Sequence, residues 1–250
     1  MNSIKKHLRL PIPGLLCAAI LPLVAAAPGK SLSAITTPFL PAAASAQSAG
    51  SGSETGAPSA GAATITFRKI FKSSFPEFVE IKLDPSGAGT YDIRQLSDAA
   101  SPQAFTIGAP LTRKIFGLAK SLHDFQGVDL EVHKRIANLG EKTFRYEGGG
   151  EAHETSFNYT LDPNASQLLA IFEGLTRQEM DLSDLQRTMR YDHLGVNDVL
   201  LQIGADYDNK QLPEPDRFLA LLDQVAADTT FIDIARDRAR TLAGRIRASS

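Results

Sequence analysis

Cysteine is almost missing. Cys17 is the only one in 250 residues, and it sits in an apolar N-terminal stretch. A single cysteine cannot form an intramolecular disulfide. Thiolate metal sites and a cysteine nucleophile elsewhere in the chain are excluded as well. Phosphate-binding glycine loops, the G-x-S-x-G nucleophile turn and the H-E-x-x-H metal motif are also missing. No pair of carboxylates has a spacing that places both on one site, and no cofactor is expected. Excess positive charge is lacking too. Only Lys5, Lys6, Arg9, Lys30 and Glu54 precede Thr64, so of 26 basic and 28 acidic residues 22 and 27 remain beyond it, a net charge near −5. Nucleic-acid binding rests on neutralising phosphates, so no nucleic-acid partner is expected.

The N-terminus has the layout of an export signal. Lys5, Lys6 and Arg9 form a basic region, and Leu10 to Ala27 is apolar but broken by Pro11, Pro13 and Pro22. Cleavage is expected after Ala27 or, with a better small-x-small pattern, after Ala46. On the second choice residues 1–46 are the signal peptide and 47–63 an Ala/Ser/Gly-rich linker. The expected compartment is periplasmic or secreted. Membrane contact is expected only if the signal segment stays uncleaved.

The remainder reads as α+β. Phe78 to Leu83 alternates strictly, Asp84-Pro85-Ser86-Gly87 is a turn, and Thr90 to Arg94 returns. Pro110 opens a helix with Leu111, Ile115, Leu118, Leu122 and Phe125 on one stripe. Thr143–Glu147, a triple-glycine turn and Glu154–Thr160 form a second hairpin. Asp162-Pro163 then caps a helix over 164–190, either continuous or broken near Gly174. Thr64 to Ile70 is β-like. Two ββα units thus predict a four-stranded antiparallel sheet with helices on one face over 64–175, and a C-terminal helical bundle over 176–250.

Few residues suggest chemistry. Glu151, His153 and Glu154 form the only ligand-like cluster; on a strand Glu151 and His153 point the same way, and the sequence names no third ligand to join them. Asp206-Tyr207-Asp208 has acidic spacing but no central glycine, and reads as a solvated loop. Tyr191, Asp192 and His193 read as a polar helix end. Arg236, Arg240 and Arg247 on the last helix are a candidate partner patch. Tyr146 and Tyr159 are candidate contacts on the sheet.

The phrases SSFPEFVEIKLDPSGAGTYDIR, KTFRYEGGGEAHETSFNYTLDP, MRYDHLGVNDVLLQI and FIDIARDRARTLAGRIR resemble exported, uncharacterised bacterial proteins over roughly 67–247. The ββα repeat is also similar in layout to bacterial metalloprotease inhibitors of the emfourin type. The first likeness implies a compartment, the second an inhibitor. Together with the missing catalytic motifs, they make a non-catalytic domain that binds a protein or envelope partner the leading expectation. A secreted peptidase inhibitor comes next, then a hydrolase or metal-dependent enzyme built on His153 with Glu151 or Glu154.

Overall fold

The structure, a computed structural model, describes residues 63–249. The expected signal peptide, both cleavage sites and nearly all of the linker lie outside the described residues. Among the described residues no helix is long and apolar enough to cross a membrane.

The described residues are α+β, with six strands rather than four. The strands are β1 (Thr64–Ile70), β2 (Phe78–Leu83), β3 (Ala88–Arg94), β4 (Gln103–Thr106), β5 (Glu141–Gly148) and β6 (Glu151–Phe157). They pair antiparallel in the order β4-β3-β2-β1-β5-β6. The β-like segment at Thr64 is therefore the inner strand that joins the two expected hairpins, through Phe67 opposite Ile81 on one side and Phe144 on the other. Strand β4 escaped the sequence because it has four residues and buries only Phe105.

Both turns follow from glycine. At Gly87, φ is +88, and a Cβ there would lie 2.5 Å from the Ile107 carbonyl oxygen. In the β5–β6 hairpin Gly148 still pairs with Glu151. Only Gly149 and Gly150, at φ +62 and +84, make the turn. The second strand consequently starts three residues earlier than expected, and Tyr159 falls beyond it.

The helices are α1 (Ala109–Ser121), α2 (Pro163–Tyr191), α3 (Val196–Asp208), α4 (Leu219–Ala227) and α5 (Asp233–Ser249). Pro110 and Pro163 start α1 and α2, and the Asp162 side chain accepts from the N–H groups of Asn164 and Ala165. Helix α2 is continuous through Gly174. That glycine makes room for a neighbouring loop: a Cβ would lie 2.9 Å from Pro213 and 3.0 Å from the Gln211 carbonyl oxygen. Thr176 lies within the continuous helix. Its hydroxyl donates back to the Phe172 carbonyl.

Two hydrophobic clusters share α2. Its first half, to Leu175, packs with α1 on the sheet. Phe67 stacks on Phe172 at 5.0 Å between centroids, and Phe144 touches Phe67, Phe125, Phe157 and Phe172. The second half, from Leu182, packs with α3, α4 and α5. The strand residues that alternate with this buried set carry cross-strand ion pairs instead, such as Arg68–Glu80 at 2.7 Å and Arg145–Glu154 at 3.3 Å.

Candidate functional site

The β1–β2 connection and the midpoint of α2 enclose a cleft of about 430 Å³. The connection is tied by its own hydrogen bonds. The Phe71 N–H donates to the Glu77 carbonyl at 2.9 Å, and the Ser74 hydroxyl lies 2.6 Å from the carbonyl oxygens of Phe71 and Pro76. The Phe75–Pro76 peptide bond is cis. This frame holds Phe75 at the lip of the cleft, 81% exposed. Phe71, Pro76 and Met180 supply further apolar wall. An anchored aromatic ring in water beside an apolar cavity is a common element of recognition surfaces.

The inner wall is polar. Arg177 and Asp181 stand one turn apart on α2, and Gln202 and Asp206 one turn apart on α3. The Gln202 amide donates to Asp206 at 2.8 Å, and the Arg177 guanidinium lies 3.5 Å from the other oxygen of Asp206. Asp206 is thus buried with two partners. Asp181 is 9% exposed, and its Oδ2 has no hydrogen-bond partner among the described residues. Burial, and then the Asp206 charge, push the Asp181 carboxyl up to about 7. Two neighbouring buried carboxyls cannot both ionise cheaply, so the Asp181 carboxyl keeps its proton well above the usual carboxylate range. On the other wall Lys69 pairs with Glu173 at 2.7 Å.

This carboxyl pair overturns the expectation that none exists. Asp206 lies in the last turns of α3, not in a loop, so a calcium-type loop is also ruled out. A signal was present in the sequence. Val196, Leu200, Ile203 and Asp206 fall on one helical stripe, as do Leu175, Gln178, Asp181 and Leu185. An aspartate on an apolar stripe needs a buried partner.

The residues singled out from the sequence lie elsewhere and do not converge. His153 Nε2 sits 3.2 Å from Glu151 on β6, while Glu154 points to the opposite face and meets Arg145. Among the described residues no group of three or more His, Cys, Asp or Glu side chains could hold a metal ion. Tyr146 is half-buried against the sheet core, and Tyr159 is 40% exposed beyond β6. Arg236, Arg240 and Arg247 each face an aspartate, namely Asp233, Asp237 and Asp223. The polar helix end is a cap. The Asp192 carboxylate accepts from the Gly195 N–H at 3.0 Å, and the His193 ring packs on Phe231.

Two further polar groups are structural. Lys142 is 4% exposed and has no carboxylate partner among the described residues. Its ammonium donates to the carbonyls of Leu139, Gly140 and Asn158 at 3.0, 3.0 and 2.7 Å. Burial, then nearby Lys69, lower its pKa. Glu179 is buried against Arg217, and burial raises its carboxyl more than Arg217 lowers it. Neither protein-family models nor curated proteins show any match to this chain.

Proposed function

We propose that this chain is an exported binding domain whose recognition site is the cleft between the Phe71–Glu77 connection and α2–α3. One observation carries the reading: Phe75, held by a hydrogen-bonded loop, stands in water at the lip of a cavity with apolar walls and a charged floor. Burying such a ring against a partner gains roughly 2 kcal/mol or more from area alone. At 81% exposed, the ring adds little to the packing of the described residues. The envelope is the proposed setting because the N-terminal residues have the pattern of an export signal.

The full chain, immobilised and exposed to envelope extract, should retain a saturable protein partner. Phe75→Ala should fold with unchanged thermal stability, since the ring is exposed, and should lose that partner. Equal retention by both proteins would place the recognition surface elsewhere.

A second reading has an observation of its own. A carboxyl that titrates near neutrality beside an ionised one is the arrangement of a general acid and its partner base. Asp181 would then be the proton donor of a hydrolase. Binding is preferred because Asp206 already accepts from Gln202 and pairs with Arg177, which leaves no second carboxylate free to act as the base. Turnover of glycoside or peptide substrates that vanishes in Asp181→Asn would reverse this order.

A further inference from the structure

The cleft is short of one cation. Its ionisable lining is Lys69, Glu173, Arg177, Asp181 and Asp206, two bases against three acids. Lys69 is used by Glu173, and Arg177 by Asp206. Asp181 is left over. It is nine-tenths buried, its Oδ2 meets no protein donor, and it borders the cavity. Only a proton supplies the missing positive charge in the free protein.

We propose that the cleft takes the lysine side chain of a protein partner, with its ammonium at Asp181 and Asp206 and its methylenes against Phe75 and Met180. This rests on the reading of the cleft as the recognition site. The walls match the two parts of that side chain. Four methylenes need an apolar channel, and the ammonium needs acceptors without competing donors. A compact point charge suits a single unpartnered oxygen better than a planar guanidinium fork does. Asp206 is already filled by Gln202 and Arg177, so one ammonium meets one vacant acceptor and a second carboxylate behind it. On binding, the proton on Asp181 leaves to solvent and the ammonium takes its place. The charged groups around Asp181 are Arg177 and Asp184 on its own helix and Asp206 on α3, with Lys69 and Glu173 across the cleft. Arg177 is the competitor. It is half-exposed and can swing aside.

The test uses the full chain and three probes: Nα-acetyl-lysine N-methylamide, its norleucine counterpart, and cadaverine. Binding is followed by NMR shifts of the cleft amides near pH 8, above the Asp181 titration. The lysine probe should bind roughly tenfold tighter than the norleucine probe, the worth of one charge-assisted hydrogen bond. Asp181→Asn should abolish that preference and leave norleucine binding intact. Arg177→Met, which removes the competing cation from a half-exposed position, should strengthen lysine binding several-fold and so covers the case in which the aspartate variant fails to fold. Equal binding of the lysine and norleucine probes would overturn the ammonium site while leaving the apolar cleft standing. Silence from all three probes would overturn both. Tighter binding of cadaverine than of the lysine probe would overturn the partner side chain in favour of a free diamine.

Discussion

Replacing Asp181 by asparagine should make the protein less sensitive to alkali. The folded carboxyl titrates near 7, against an ordinary value of 3.8. Between those values the folded state holds a proton that the unfolded chain has released. Unfolding then releases a proton, so stability falls as pH rises, by about 1.4 kcal/mol per unit. The penalty is absent below the unfolded value and complete above the folded one. Over pH 5 to 8 the wild type should lose about 2 to 3 kcal/mol through this group. Asparagine keeps the shape and has nothing to titrate. Denaturant unfolding of both proteins at pH 5, 6, 7 and 8, at one ionic strength, gives the difference directly. Glu179 is also raised by burial and adds the same sign, but it is common to both proteins and cancels. The variant should gain on the wild type steadily through this window and level off above it. A difference constant to within about 0.5 kcal/mol from pH 5 to 8 would refute the raised titration of Asp181, because no burial effect without titration produces a slope.

Other substitutions test other parts. Lys142→Met should cost roughly 2 to 4 kcal/mol in urea unfolding, because three carbonyls lose a buried donor; a neutral result would mean that water replaces the ammonium. Phe144→Ala empties the centre of the aromatic cluster and should cost roughly 3 to 5 kcal/mol, measured the same way. Glu214 caps α1 from a distant loop, its carboxylate accepting from the Gly108 N–H at 2.5 Å where glycine offers no side chain of its own. Glu214→Ala should therefore cost about 1 kcal/mol, and Glu214→Gln less.

The fold was legible where backbone chemistry is local. Pro110, Asp162-Pro163 and the Asp84–Gly87 and Gly149–Gly150 turns mark their elements in the order of residues alone. Strand β4 was not legible, since four residues with one buried side chain give no period. Nor was the central place of β1. Its pairing with both Ile81 and Phe144 is decided by tertiary packing over long separations. Gly174 looked like a helix break because glycine is a poor helix former, yet the approach of Pro213 requires it there.

The cleft was hidden for a related reason. Its residues come from positions 67–79, 173–181 and 202–206, which meet only when the sheet and helices pack. Asp206 sat in a polar run that composition reads as loop. The cluster with tidy spacing, Glu151–His153–Glu154, is divided between two faces of one strand. Spacing along the chain brings groups together only if their side chains point the same way.

The most direct test of the cleft as a recognition surface is site-specific photocrosslinking in the native envelope. A photoreactive phenylalanine replaces Phe75 in the full chain, and Tyr191, equally exposed at the end of α2, serves as the control position. A single adduct at position 75 that saturates, is absent at 191 and is competed by unlabelled wild type is the predicted result. No adduct at 75, or the same adducts at both positions, would contradict the account.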